Sequence, residues 1–235
     1  WVCNVPDYCV EEMADTTIAL LLALVRGIIV LDRSVRAGQW DDHAAGPLQR
    51  LRGTSLGVVG FGRIGRAVAR RALGLGFDVG AADPQVGAAE INDLGARPLP
   101  LDELLATSAA VPLHVPLTEQ TRGMIGAREL ALMRPGSYLI NTARAGLLDW
   151  PAFLQALRHG PLTGAAVDVL PVEPPTTGDP APRDDNLIVT PHAAWYSEEA
   201  EQQVYRRAAL AVRAVLEGRI PDGAVVIPDP ARARR

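Results

Sequence analysis

Leu56-Gly57-Val58-Val59-Gly60-Phe61-Gly62-Arg63-Ile64-Gly65 runs an apolar strand pattern straight into Gly-x-Gly-x-x-Gly, and a helical pattern from Arg63 to Leu75 follows. In such a strand–turn–helix unit the first glycine permits a tight turn and the second lets a pyrophosphate reach the backbone. The third lets helix and strand pack closely, while the helix N-terminus offers amide donors and a positive dipole end. The glycine pattern alone is a weak signal, shared with flavin and adenosylmethionine sites. Its context strengthens it, because Asp83 closes the next apolar run 18 residues after Gly65 (83 − 65). An acid at that place accepts from the hydroxyls of an adenosine ribose and repels a 2′-phosphate, which favours NAD over NADP.

The same rhythm extends outward from this unit. Short apolar runs at Leu56–Gly60, Phe77–Ala82, Val111–Val115, Tyr138–Asn141, Ala165–Val169 and Leu187–Thr190 alternate with helical patterns near Arg63–Leu75, Leu101–Ala106, Ala127–Met133 and Trp150–Arg158. Nearly continuous apolar strands alternating with helices predict an α/β fold, a doubly wound parallel sheet covered on both faces. Ligands of such sheets sit outside the carboxyl ends of the strands, so chemistry is expected just after each run. Before the sheet, Val10–Trp40 reads as one long helix, with acidic Glu11, Glu12 and Asp15 near its start. After it, Ser197–Gly218 reads as a second long helix whose apolar stripe (Val204, Ala208, Ala211, Val212, Val215, Leu216) is expected to pack against something. A short apolar run, Ala224–Ile227, and a basic tail (Arg232, Arg234, Arg235) end the chain; the tail reads as a solvated terminus.

Composition removes several classes of function. The 235 residues contain no lysine, so all 23 cations are arginine, which excludes a P-loop lysine clamp, a Schiff base and a pyridoxal phosphate site. With 27 acidic residues the formal charge is −4, a poor balance for binding nucleic acid. The longest apolar stretch, Ile18–Leu31, is broken by Arg26 and Gly27 and is too short to span a bilayer. Cys3 and Cys9 make neither a metal set nor a disulfide framework, so no metal is expected, and a reducing, cytoplasmic setting is the default. The chain opens at Trp1 with neither Met nor a signal-peptide pattern and reads as a fragment or a processed chain.

Four polar residues lie at or after the later strands: Arg144, Asp168, Glu173 and His192. Singly, each has an ordinary explanation as a surface cation, a loop carboxylate or a capping histidine. Together they suit hydride transfer between a 2-hydroxy acid and NAD. The planar fork of Arg meets a substrate carboxylate with two hydrogen bonds. Imidazole exchanges the hydroxyl proton near neutral pH, and a carboxylate beside it favours its protonated form and fixes its tautomer. Serine hydrolysis fits less well, since the Gly-x-Ser-x-Gly match at Gly53-Thr54-Ser55-Leu56-Gly57 leads into an apolar run and so makes no strand-to-helix elbow. Of the other histidines, His43 lies in a polar connection and His159 at a helix end, leaving His114 as the one placed to touch a cofactor.

With these residues in view the chain resembles the D-isomer-specific 2-hydroxyacid dehydrogenase family, and within it the branch of the C-terminal-binding proteins. The resemblance runs over essentially the whole chain. It rests on Asn4-Val5-Pro6, Val10-Glu11-Glu12-Met13-Ala14-Asp15, the glycine loop, His114-Val115-Pro116-Leu117-Thr118 and Asn141-Thr142-Ala143-Arg144. Val167-Asp168-Val169, Glu173-Pro174 and Thr190-Pro191-His192-Ala193-Ala194-Trp195-Tyr196-Ser197 continue it, the last being the most branch-specific. The resemblance implies a Rossmann NAD-binding domain over residues 7–190, with 1–6 and 191–235 as hinge and remnant of a substrate domain. It implies NAD as cofactor, a small 2-oxo or 2-hydroxy acid as substrate and a homodimer built on the 10–40 helix.

By the same resemblance Arg144 binds the substrate carboxylate, His192 donates the proton in reduction with Glu173 behind it, and Asp168 holds the nicotinamide carboxamide with help from the Ala143 carbonyl. Thr16, Gly60, Phe61, Gly62, Arg63, Ile64, Gly65, Asp83, His114, Val115, Pro116, Leu117, Thr118 and Thr142 line the rest of the cofactor site, and Trp195 borders the pocket on its substrate side. Three departures stand out: Ala145 where the family has glycine, Ala109 where it often has aspartate, and the absence of about 90–100 residues of substrate domain, the size of one small domain. Two other expectations follow from the resemblance and this absence: an NAD(H)-responsive corepressor-like scaffold, or an inactive truncated chain.

Overall fold

The structure, a computed structural model, describes residues 2–176, 181–221 and 225–227. In chain order its elements are β1 (Val2–Cys3), α1 (Val10–Val25), α2 (Ile28–Arg36), β2 (Ser55–Val59), α3 (Arg63–Gly74), β3 (Asp78–Ala82), α4 (Ala88–Asp93), β4 (Arg97–Pro98) and α5 (Leu101–Thr107). They continue with β5 (Ala110–Leu113), α6 (Ala127–Leu132), β6 (Ser137–Asn141), α7 (Trp150–His159), β7 (Leu162–Val167), β8 (Leu187–Val189), α8 (Glu198–Leu216) and β9 (Val225–Ile227). The chain divides into two compact units, Met13–Ala194 and the pair of segments Trp1–Glu12 and Trp195–Arg235.

The larger unit holds a seven-stranded parallel sheet in the order β4-β3-β2-β5-β6-β7-β8. Strand order reverses between β2 and β5, and a crevice opens at such a switch point. The apolar runs become strands because both faces are covered: all four residues of β5 are buried, as are the last four of β2 and of β3. Helix α3 packs tightly because Ala67, Val68, Ala69 and Ala72 turn inward without bulk. At Gly57 a Cβ would stand 2.3 Å from Ser108 Oγ and 2.4 Å from Leu104, so only glycine lets α5 approach β2. The seventh strand, β4, escapes the sequence pattern because it is two residues long and contains Pro98; its residues pair with Gly80 and Ala81.

The long helix expected over residues 10–40 is two helices. Gly27 takes a left-handed φ of +61°, and α1 and α2 meet there at 60°. A Cβ at Gly27 would lie 2.4 Å from the Ala45 Cβ, so the break is held by packing as well as by conformation. No single helix among the described residues is long and apolar enough to cross a membrane.

In the smaller unit β1 pairs antiparallel with β9, and Ser197 caps α8 by accepting from the Ala200 N–H at 2.9 Å. The Ser197 hydroxyl donates to Glu12 at 2.7 Å, and Arg207 pairs with Asp7. Among the described residues the α8 stripe expected to be packed is only partly covered: Val204, Ala211 and Val215 are half-buried, whereas Ala208 is exposed, Val212 is 61% exposed and Leu216 81%. The basic tail lies outside the described residues.

Candidate active site

Within the larger unit the loops after β2, β3, β5, β6, β7 and β8 leave the sheet at its carboxyl edge. The glycine turn follows β2. A Cβ at Gly65 would lie 2.0 Å from the Gly60 oxygen, and one at Gly60 (φ +91°) would lie 2.7 Å from the His114 carbonyl, so the chain itself requires both glycines. Gly62 differs. Its φ of −72° is open to any residue, and a Cβ there meets nothing within 4 Å. No described residue therefore requires a glycine here, and the space over it is open to a group from outside the chain. The first amides of α3, which have no partners within the helix, begin at the next residue.

Asp83, at the end of β3, reaches back to this turn. Its Oδ2 accepts from the Phe61 N–H at 2.7 Å and its Oδ1 from the Gln85 N–H at 2.8 Å, leaving one lone pair on each oxygen. Two clefts flank the turn after β5. One, of about 750 Å³, is lined by Gly62, Asp83, Gln85, Thr118 and Met124; the other, of about 570 Å³, by Met13, Ile64, Leu117, Ala143 and Arg144. His114, Val115 and Pro116 line both. Paired clefts sharing one wall, with open space over Gly62 between an acid and a helix start, fit a dinucleotide. The wall is stiffened by Thr121, whose hydroxyl donates to the Pro116 carbonyl at 2.6 Å and accepts from the Thr118 N–H at 2.8 Å. Both ring nitrogens of His114 are buried with no hydrogen-bond partner among the described residues, and burial lowers its pKa to about 4.

After β6 the buried Asn141 shapes the next loop. Its Oδ1 accepts from the Ala143 N–H at 3.0 Å and its Nδ2 donates to the Arg144 carbonyl at 2.9 Å. Thr17 in α1 donates to the Met13 carbonyl at 2.7 Å, so in its 3.0 Å contact with Thr142 it must accept. Arg144 Nη1 donates to the Ala143 carbonyl at 2.6 Å.

Asp168, 1% exposed after β7, organises the turn that carries His192. Its Oδ1 accepts from the Thr190 hydroxyl at 2.6 Å and the Ala193 N–H at 2.9 Å, and its Oδ2 from the Ala194 N–H at 2.9 Å. Its own carbonyl accepts from the His192 N–H at 2.8 Å. These bonds hold His192 at φ +55°, a left-handed conformation that costs energy in any residue with a side chain. His192 Nδ1 lies 2.6 Å from Glu173 Oε2, and Glu173 Oε1 accepts from the Leu170 N–H at 2.7 Å. Desolvation opposes ionisation of Glu173, but the His192 and Leu170 hydrogen bonds and the charges of His192 and Arg144 together hold its carboxyl below the usual value. An ionised Glu173 requires the proton on Nδ1, leaving Nε2 as the outward atom of a ring 43% exposed.

Arg144, Glu173 and His192 thus form one electrostatic cluster, and Asp168 sets the backbone of its turn. The glycine turn and Asp83 form a second cluster, joined to the first by the 114–117 wall. Thr16 donates to the Ala194 carbonyl at 3.3 Å, beside the His192 turn. Trp195 belongs to the smaller unit, where its ring meets Tyr8 at 6.1 Å and Tyr196 at 5.7 Å. Asn141 and Thr190 carry structural work that sequence reading did not assign them, although both stand in the short runs around Arg144 and His192. Thr17 and Met13 gave no such signal, since a helix interior is ordinarily plain packing.

Known proteins share the sequence and fold of this chain. The family described as "D-isomer specific 2-hydroxyacid dehydrogenase, NAD binding domain" matches residues 18–194. A glycerate dehydrogenase of Methylorubrum extorquens is 40% identical over 210 residues, 86% of this chain and 64% of the relative. A glyoxylate reductase of Korarchaeum cryptofilum is 39% identical over 229 residues, 96% of this chain and 69% of the relative. Among solved structures, a D-lactate dehydrogenase from Aquifex aeolicus in complex with NAD and lactic acid superposes with a TM-score of 0.89 at 31% identity, over 97% of this chain and 74% of that one. The chain therefore spans about two thirds of the length of the curated relatives it matches.

Proposed function

The chain belongs to the D-isomer specific 2-hydroxyacid dehydrogenase NAD-binding-domain family, and on that premise we propose that it serves an NAD-dependent oxidoreductase interconverting a D-2-hydroxy acid and a 2-oxo acid. The bound nicotinamide supplies or accepts the hydride. The first amides of α3 and the open space over Gly62 receive the pyrophosphate, and the remaining lone pairs of Asp83 accept from the ribose hydroxyls. Asp168 has one lone pair left on Oδ2 for a carboxamide N–H, and the Ala143 carbonyl offers a second acceptor. Arg144 holds the substrate carboxylate. His192 carries a proton at Nε2 to the substrate oxygen in reduction and takes it back in oxidation, while Glu173 keeps Nδ1 protonated and the ring oriented.

The observation that carries this reading is the 2.6 Å His192–Glu173 contact within the field of Arg144. A binding scaffold has no need to tie an imidazole to a carboxylate beside a guanidinium. The test is NADH oxidation with glyoxylate, hydroxypyruvate and pyruvate alongside NADH affinity. His192→Ala should lose turnover at least about a thousandfold, as loss of a general acid does, with affinity for NADH unchanged. Equal loss of both would defeat the assignment.

We place the chain nearer the C-terminal-binding branch on the Thr190–Ser197 stretch. Trp195, beside Ser197, we assign to the border of the substrate pocket. Residues 1–6 and 191–235 are the hinge and part of the substrate domain, whose remaining portion supplies the rest of the cleft. A homodimer is supported by the apolar groups left open on α2 and just after it, Ile28 (53% exposed), Val35 (50%) and Trp40 (92%). Cys3 and Cys9, which are not joined in a disulfide, support a reducing, cytoplasmic setting.

A further inference from the structure

Phe61, the residue between the first two glycines of the turn, is completely buried and is held on three sides. Its N–H donates to Asp83 at 2.7 Å. Its carbonyl accepts from Arg66 Nε at 2.9 Å, and the Arg66 guanidinium carbon lies 5.8 Å from the centroid of its ring. The other edge of that guanidinium is taken up, for Nη2 donates to Glu90 at 2.8 Å. Glu90 stands in α4, beyond the ribose-side loop, so the arginine is tethered from outside the glycine turn.

We propose that Arg66, oriented by Glu90, is a positioning residue for the pyrophosphate of the dinucleotide; the proposal rests on the cofactor reading given above. The argument is planarity. The Phe61 carbonyl and the Gly62 N–H belong to one trans peptide and point in opposite directions. Holding the carbonyl on Arg66 aims the Gly62 N–H away from it. That N–H has no protein partner among the described residues. Without the arginine this peptide loses the bond that fixes its carbonyl, and on the Gly62 side no Cβ resists its rotation. An ordered donor then becomes one that the ligand must order itself, at a cost in affinity. Arginine suits the task and lysine does not, since the carbonyl and Glu90 are met at once by two N–H groups in a fixed plane.

The experiment compares the chain as it stands with Arg66→Leu, Arg66→Lys and Glu90→Gln, measuring affinity for NADH, ADP-ribose and adenosine together with hydrogen exchange over residues 60–66 in the ligand-free chain. Arg66→Leu should weaken NADH and ADP-ribose alike by about tenfold and leave adenosine, which lacks the pyrophosphate, unchanged. Glu90→Gln should lose about threefold, and Arg66→Lys should fail to restore the wild-type value. Exchange across the turn should quicken in each variant. Unchanged affinity for ADP-ribose, a parallel loss of adenosine, or full rescue by lysine would each overturn the proposal. Should Arg66→Leu not fold, Arg66→Lys and Glu90→Gln carry the same comparison. If the unaltered chain binds neither NADH nor ADP-ribose, the cofactor reading fails; the clamp is then judged by exchange alone, and wild-type exchange in the variants sinks it.

Discussion

After β2 the chain turns on residues without side chains, whereas after β8 it turns on one that keeps its side chain: Gly60 takes φ +91° and His192 φ +55°. The first turn is shaped by what is missing, since Gly60 and Gly65 let backbone meet backbone. The second is shaped by what is present, a buried carboxylate that gathers two amides and a hydroxyl around a strained residue. A histidine belongs to the second turn and another, after β5, lies against the first, and the two are opposites. His114 is a neutral ring enclosed without partners, while His192 is open to solvent and tied to Glu173. A side chain's chemistry is therefore set by its surroundings, and each region can be broken in its own way.

The largest effect is expected from Gly65→Ala, whose added methyl runs into the Gly60 carbonyl; we expect a loss of about 3 kcal/mol or more in chemical denaturation. Gly62→Ala, its neighbour in the same motif, should melt like the wild type yet bind NADH at least tenfold more weakly, on the order of 1.4 kcal/mol. A stability loss at Gly62 would mean that the fold, not a ligand, requires that glycine. Next comes acidity. His114 titrates at about 4 when folded and near 6.5 when unfolded, so the unfolded chain binds more protons between these values and stability must fall as pH drops through that window. The full loss is about 3 kcal/mol, and His114→Leu should flatten that part of a melting-against-pH curve.

Asp168→Asn should cost about 2 kcal/mol, because an amide nitrogen now faces an N–H that had an acceptor; turnover should fall further than stability. The smallest expected shift has the opposite sign. His192→Gly should raise stability by about 1 kcal/mol as the strained φ is relieved, while abolishing turnover. A destabilised His192→Gly would show that the ring's bond to Glu173 outweighs the strain of its backbone.

Much of this was legible in the sequence, for different reasons in the two regions. The glycine turn is local: strand, turn and helix are contiguous, so periodicity and spacing carry it. Six of the seven sheet strands announce themselves as apolar runs, but β4 does not, since two residues make no period. The His192 site is assembled from three separate loops. Its members could be named one by one, yet the bond from Asp168 to the backbone beyond His192 and the Leu170 amide under Glu173 are tertiary contacts that no spacing reports. The split of the 10–40 helix was missed because apolar residues continue on both sides of Gly27 and a lone glycine inside a helical pattern is tolerated. Ala45, eighteen residues on, leaves no room for a side chain at that left-handed position. The partly covered α8 stripe shows the same limit from the other side, as an amphipathic pattern tells what a helix offers and not what meets it.

The two-residue strand at the outer margin of the sheet has a further consequence. Pro98 has no N–H to offer, and Pro100 follows within two residues. A margin of this kind gives an incoming chain almost no backbone to copy, so another strand cannot extend the ladder on that side. The chain can present a long open crevice at one end of its sheet without that sheet serving as a template for fibre growth along its β4 flank.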